Sequence, residues 1–346
     1  LKKSLESIIN LVPNLNINLF DVGCRWGIQR PWDQLSNKVQ YYGFDADKEA
    51  CKELNDKNSD SNLTYLPFML SDKVETKKLY LTKEEGCSSI FKPNKKIIEK
   101  FFFSENWNVE KEILLESTTL KNVYNENKIA PDFIKIDTQG AELSILKGAE
   151  DLMDNVLGLE LEVEFVQIYE NQPLFRNVDS FVMEKGFELY DLNRYWANRT
   201  SMSKELSRRG QIVFADAIYF RNIESFYSLE FDSNDKIKEQ LIKLVTMLSL
   251  YGFFDVALEF VHHPKTPLSK SEIEFITQAL KSLSSRPIWQ KIFFKNRFMN
   301  FLGKLFHHLG DMLSYNTKTY GWGTDYNNVN GRFLYHTSGV WSKLRK

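Results

Sequence analysis

The sequence predicts an α/β protein built on a mostly parallel sheet, with an all-helical region appended at the C-terminal side. Three observations carry this reading. Apolar strands end in acids: Ile17 to Phe20 runs into Asp21-Val22-Gly23-Cys24-Arg25-Trp26-Gly27, and Val39 to Phe44 ends in Asp45. Strand-like and helix-like segments alternate through the first 220 residues, which implies parallel strands joined by helical crossovers. From Ser233 onward only helical periodicity remains.

The elements follow in order. Ile17 to Val22 reads as a strand, and Lys48 to Leu54 as a helix after Asp45. Leu63 to Leu70 is strand-like and closes in Ser71-Asp72. Lys77 to Leu81 and Glu112 to Ser117 read as added strands around a mobile stretch, Thr82 to Lys111. Asp132 to Ile136 is a strand ending in Asp137, and Gly140 to Leu152 a helix with Leu143, Leu146 and Ala149 on one face. Val156 to Phe165 is the next strand. Leu174 to Lys185 is a helix stopped by Gly186. Phe187 to Leu192 and Ile212 to Phe220 close the sheet, the latter two suiting an antiparallel edge. Helices are expected at Ile237–Leu250, Phe254–Val261, Ser271–Leu283 and Pro287–Leu313, before a Gly-, Asn- and aromatic-rich tail from Tyr315. The expected division is residues 1–222, 223–314 and an irregular tail 315–346.

Composition bounds the function. With 346 residues, 42% of them hydrophobic and 26% charged, the chain is globular rather than disordered. Its net charge of −1 gives no global field to recruit nucleic acid. No apolar run reaches transmembrane length, and Leu1 to Asn10 lack a signal-peptide core. Cys24, Cys51 and Cys87 form no C-x-x-C pair, so a reducing cytoplasm is the expected location. The segment 288–313 mixes phenylalanines with Lys291, Lys295, Arg297 and Lys304. It reads either as core or partner interface, or as a peripheral membrane contact. The oligomeric state is not encoded in any recognisable pattern.

The Asp21–Gly27 loop is where a nucleotide-like cofactor is held at the carboxyl ends of parallel strands. Gly23 and Gly27 let the backbone turn and approach a ligand closely. Asp45 stands 24 residues after Asp21, a separation suited to an acid gripping ribose hydroxyls. A dinucleotide site wants a glycine where Arg25 stands, because its pyrophosphate touches the backbone there. That argues against a nicotinamide-dependent dehydrogenase and suits S-adenosyl-L-methionine, which has no pyrophosphate. Asp72, beside Ser71, is placed to accept from an adenine amino group. Asp47 reads as a helix N-cap. Arg25, Trp26, Arg30 and Trp32 are either one wall of a pocket or packing.

Three segments join this loop. They are Ser71-Asp72, Ile134-Lys135-Ile136-Asp137-Thr138-Gln139-Gly140-Ala141-Glu142, and Val163-Glu164-Phe165-Val166-Gln167-Ile168-Tyr169-Glu170-Asn171-Gln172-Pro173-Leu174-Phe175. With Gly210-Gln211-Ile212-Val213-Phe214-Ala215-Asp216-Ala217, they closely resemble the FkbM family of S-adenosylmethionine-dependent methyltransferases over residues 15–222. The resemblance implies a class I methyltransferase fold (Rossmann-like, seven strands, order 3-2-1-4-5-7-6). It also implies methyl transfer to oxygen, often of a sugar or secondary metabolite. Gln139 departs from the family pattern, which usually has Glu there.

A sugar hydroxyl is a weak acid, so transfer to it needs a base or a metal. All five histidines (His262, His263, His307, His308 and His336) lie beyond the α/β part. Asp137, ending a central strand, is therefore the expected base, directly or through a divalent ion such as magnesium. No metal ligand set is assigned. Glu142 either serves the site or caps the following helix. Glu160, Glu162 and Glu164 share one strand face. Either Lys and Arg pair with them at the rim, the favoured reading for Glu160, or Glu164, nearest the carboxyl end, faces the acceptor. The expected partner is a carbohydrate or other small-molecule hydroxyl acceptor. The rival outside catalysis is a glycan-binding or scaffold protein with a vestigial fold.

Overall fold

The structure, a computed structural model, describes residues 2–58, 60–201, 210–284 and 320–322. The expected helix at Pro287–Leu313, the membrane reading of 288–313 and most of the tail lie outside the described residues.

Helix α1 (Lys2–Ile9) buries Leu5, Ile8 and Ile9. Strands β1 (Ile17–Val22) and β2 (Val39–Phe44) stand where expected. Helix α2 (Lys48–Lys57) starts at Asp47, whose side chain accepts from the Ala50 amide at 3.0 Å, the cap expected of it. The run Leu63 to Leu70 is not one strand. Pro67 has no N–H to give a ladder, and the chain splits into β3 (Leu63–Leu66) in the main sheet and β4 (Met69–Leu70) in another. Strand β5 (Thr76–Thr82), helix α3 (Lys95–Ile98) and strand β6 (Val109–Thr118) follow, giving a second sheet ordered β4-β6-β5.

Helix α4 (Leu120–Asn127) leads to β7 (Phe133–Ile136) and α5 (Glu142–Lys147). The helix expected from Gly140 to Leu152 is shorter at both ends. Glu150 takes a left-handed φ of 50°, which breaks the α-helical run, and a 3-10 turn continues to Asn155. Then come β8 (Gly158–Glu164), α6 (Phe175–Glu184), β9 (Phe187–Ala197), β10 (Gln211–Arg221) and α7 (Ile223–Ser228). Helices α8 (Asn234–Tyr251), α9 (Phe254–His262) and α10 (Lys270–Ser284) follow, and β11 (Tyr320–Trp322) is the last described element.

The main sheet is ordered β11-β9-β10-β8-β7-β1-β2-β3. Strands β3, β2, β1, β7 and β8 run parallel, while β10 is antiparallel to both β8 and β9. Without β11 this is the seven-stranded class I order. Strand β11 pairs antiparallel with β9 from within a stretch expected to be irregular.

One sheet face packs Phe20, Ile134, Leu159, Leu161 and Val163 against α4, α5 and α6. The other packs Ile17, Leu19, Tyr41, Phe133 and Phe220 against α8, with α1, α9 and α10 outside it in the same core. From Gln240 to Tyr251 every residue of α8 is buried, as befits a helix covered on all sides. Lys243 Nζ reaches both carboxylate oxygens of buried Asp132, at 2.9 and 2.8 Å, pinning α8 to the start of β7. Trp32 belongs to this core rather than to a pocket wall, its Nε1 donating to the Tyr251 hydroxyl at 3.0 Å. The stretch expected to be mobile instead carries its own cluster, with Cys87, Ile98, Phe101, Phe103 and Trp107 packed on Val166, Ile168, Tyr169 and Tyr195. No helix among the described residues is long and apolar enough to cross a membrane.

Candidate active site

The face under α8 changes character toward the carboxyl ends of the strands. Phe133 and Phe220 give way to a transverse row of Asp21, Lys135 and Glu160, neighbours by strand register. The next row continues the same registers through Asp45, Gly23, Asp137, Glu162, Asp216 and Asn193. Glu164 stands one step further along β8. Alternation along each strand puts all of these side chains on one face.

In the inner row the Tyr41 hydroxyl donates to Asp21 at 2.8 Å and Lys135 Nζ lies 3.3 Å from its other oxygen. The Tyr251 hydroxyl donates to Glu160 at 2.6 Å, so α8 reaches into the site, and Lys135 stands beside Glu160 by strand register. Burial works against the charge of Lys135, but Asp21, Asp137, Glu160 and Asp216 hold its pKa above the ordinary lysine value.

Gly23 and Gly27 take left-handed φ values of 87° and 70°. A Cβ on Gly23 would lie 2.0 Å from the Asp137 carbonyl oxygen, so only glycine lets the loop after β1 cross the end of β7. Arg25 is held between Asp47 at 2.8 Å and Glu85 at 2.6 Å, which ties this loop to the segment after β5. Asp45 accepts from the Asp47 amide at 2.8 Å, and burial pushes its pKa up.

Buried Ser71 donates to exposed Asp72 at 3.0 Å, and Ser144 donates to it at 3.1 Å. Burial works to raise the Asp72 pKa, but these two hydroxyls, with Lys77 nearby, together hold it below the usual range. This pair is anchored to α5 and makes no hydrogen bond to Gly23 or Asp45.

Glu142 is buried and its Oε1 accepts from the Thr138 amide, the Thr138 hydroxyl and the Gly140 amide at 2.9, 3.0 and 3.2 Å. It braces the loop behind Asp137. Burial, with Asp137 nearby, pushes its pKa up to about 7. The Gln139 amide nitrogen donates to Asp137 at 3.1 Å and to Glu162 at 2.6 Å. Burial and neighbouring carboxylates push Glu162 and Glu164 well above the carboxylate range, and Asp216 up to about 7. Gln172 stands beside Glu164, yet Glu164 Oε1, Gln172 Nε2 and Asn193 Oδ1 are buried without a partner among the described residues.

Thus Asp21, Gly23, Asp45, Asp137 and Glu164 come together along one edge, with Gly27 turning the loop beside them. Ser71 and Asp72 lie beside α5, hydrogen-bonded to Ser144. Sequence reasoning assigned no role to Lys135, Tyr169, Asn193, Asp216 or Tyr251. Three of these lie in the quoted segments, Lys135 two before Asp137, Tyr169 within Val163–Phe175 and Asp216 in the last segment, and that was their signal. His262 is exposed and bonds Thr277 at 3.1 Å, while His263 stacks on Tyr227. The other three histidines lie outside the described residues. Among the described residues no group of three or more His, Cys, Asp and Glu could hold a metal ion.

Strand order and edge together define a class I methyltransferase fold. Residues 28–189 match the family model described as the methyltransferase FkbM domain. Among solved structures it is similar to an FkbM methyltransferase from Methylobacillus flagellatus. That match has 14% identity and a TM-score of 0.33, and covers 59% of this chain and 43% of that one. It is also similar to magnesium protoporphyrin IX methyltransferase from Synechocystis, at 10% identity and TM-score 0.30, over 64% of this chain and 79% of that one. A third is M. capricolum TrmK in complex with S-adenosyl-homocysteine, at 10% identity and TM-score 0.32, over 81% and 94%. The chain spans less than half of the FkbM methyltransferase it matches. No curated protein matches the sequence.

Proposed function

We propose that this protein transfers a methyl group from S-adenosyl-L-methionine to a hydroxyl of a carbohydrate or related surface-glycan precursor. The observation that carries the reading is the abutment of Gly23 on Asp137. The loop after β1 crosses the end of β7 against the Asp137 backbone, in a row that continues into buried acceptors lacking donors. We assign the cofactor to Asp21, Gly23, Gly27 and Asp45, where the left-handed glycines turn the loop at the carboxyl ends of the strands. Ser71 and Asp72 are assigned to its adenine end. When bound, the cofactor supplies a sulfonium methyl group open to in-line attack by oxygen.

The chain's own residues do the rest. Asp137 takes the hydroxyl proton as the oxygen–methyl bond forms and the sulfur–methyl bond breaks. Glu164 Oε1 and Asn193 Oδ1, needing donors, receive further hydroxyls of a polyol acceptor. Glu142 keeps the Asp137 loop in shape. Cys24, Cys51 and Cys87 are buried and form no disulfide among the described residues, which suits the cytoplasmic location we assign. The division at residue 222 marks the end of the methyltransferase core by sequence; the helices beyond it supply one wall of the same core.

The test is transfer of labelled methyl from S-adenosyl-L-methionine to a cell-envelope glycan extract. Label recovered as an ether-linked methyl on sugar is expected. Asp137→Asn should cut the rate roughly a hundredfold to ten-thousandfold, with cofactor affinity within about threefold. EDTA followed by magnesium, in the same assay, reads out any divalent requirement. Label on nitrogen or carbon would reject the hydroxyl acceptor. Cofactor binding with no transfer to any pool would favour the scaffold reading.

A further inference from the structure

Gln139 occupies a position that the function above does not explain. Its φ of 59° is left-handed, a conformation that costs a non-glycine residue energy and persists only when the surroundings hold it. The surroundings do hold it. Ser89 donates to its carbonyl oxygen at 2.7 Å, and Glu142 ties down the amides on both sides.

The side chain uses its amide fully. Nε2 has two hydrogens and two carboxylate partners, Asp137 Oδ1 at 3.1 Å and Glu162 Oε1 at 2.6 Å. Oε1 lies 2.9 Å from the Tyr169 hydroxyl. That hydroxyl accepts from Trp107 Nε1 at 2.9 Å, and its one proton is shared between Gln139 and the Cys87 carbonyl at 2.8 Å. Between two carboxylates only a donor is stable, and a neutral amide supplies two without adding charge.

We propose that Gln139 is a positioning residue, whose carboxamide holds Asp137 against Glu162 and, through Tyr169, fixes it to the 84–108 segment. The inference rests on the reading of Asp137 as the base. The segment bearing Cys87, Ser89 and Trp107 thereby sets where the proton-accepting oxygen points, and the second Asp137 oxygen is left to the acceptor. The groups that face Asp137 are Glu142 of α5, Glu162 and Glu164 of β8, Asp216 of β10 and Lys135 of β7. All but Lys135 are acids, so a carboxylate at position 139 would crowd a site already short of cations.

The experiment is 13C NMR titration of aspartate carboxyl carbons in the full chain bound to S-adenosylhomocysteine, with Asp137 assigned by its loss in Asp137→Asn. In Gln139→Glu the Asp137 midpoint should rise by about one pH unit or more, because like charges disfavour ionisation. Gln139→Met, of similar size but with no donor, should also raise it and should slow methyl transfer about tenfold or more. Its cofactor affinity should stay within about threefold. A merely structural role would lower the melting temperature and leave the Asp137 midpoint alone. Midpoints in Gln139→Met equal to the parent would overturn the proposal, even if Gln139→Glu does not fold. If the parent binds no S-adenosylhomocysteine, the methyltransferase reading fails, while the titration on the free protein still decides the coupling.

Discussion

Lys243→Met tests whether the helices beyond residue 222 are built into the sheet's core. Lys243 and Asp132 are less than a tenth exposed, and both Asp132 oxygens lie within 2.9 Å of Nζ. Asp132 also accepts from the Asn18 amide at 2.7 Å, so it cannot swing out without breaking the start of β1. Removing one member of such a pair strands a buried charge, which typically costs about 3–5 kcal/mol. The side-chain methylenes are kept by methionine, so packing contributes little. Burial already raises the Asp132 pKa, and loss of Lys243 raises it further. The folded variant then keeps a proton that the unfolded chain releases above about pH 3.9. Its stability therefore falls as pH rises through that value, and the penalty shrinks on acidification. Urea unfolding at pH 5 and pH 8 measures both. Lys243→Met combined with Asp132→Asn should recover most of the loss, because the asparagine oxygen can still accept from Asn18. A loss under about 1 kcal/mol at pH 8, the size of an exposed pair, would refute the reasoning.

Three further outcomes follow from the geometry. Gly23→Ala puts a Cβ at 2.0 Å from the Asp137 carbonyl on a left-handed backbone, so it should abolish detectable binding of S-adenosylhomocysteine by calorimetry. Glu142 has a folded pKa of about 7 against an ordinary 4.5, so its ionisation lowers stability as pH rises between those values. Glu142→Gln, with an oxygen still able to brace the loop, should flatten that slope in urea titrations, by up to about 3 kcal/mol. Glu85→Ala removes an exposed partner of Arg25 and should change stability by less than about 1 kcal/mol. If the pair latches the loop, the same variant should speed S-adenosylhomocysteine dissociation in stopped flow, and more so at low salt.

Much of the fold was legible because its signals are local. Strands ending in Asp21, Asp45 and Asp137 announce their carboxyl ends, and Asp47 announces a helix start. What was missed depends on partners far along the chain. Nothing near Trp32 reveals that Tyr251, 219 residues later, receives its N–H. Only the register of β8 against β10 and β7 shows that Glu160, Glu162 and Glu164 meet Lys135, Asp216 and Gln139 instead of a solvated rim. The aromatic content of the 82–111 stretch could have marked it as a packed cluster, since such a density of phenylalanine and tryptophan is seldom left in water. Gln139 stood out as a departure from a family pattern, but its bridging role needed the positions of Glu162 and Tyr169.

Isothermal titration of the parent protein with S-adenosylhomocysteine, alongside Asp45→Ala, tests the central claim most directly. One site per chain with micromolar affinity, weakened about tenfold or more by Asp45→Ala, is the predicted result. The loss corresponds to a hydrogen bond to a charged group, about 1.5–3 kcal/mol. No heat at millimolar ligand would contradict the assignment of the Asp21–Gly27 loop as a cofactor site. Unchanged affinity in Asp45→Ala would contradict the ribose role of that carboxylate.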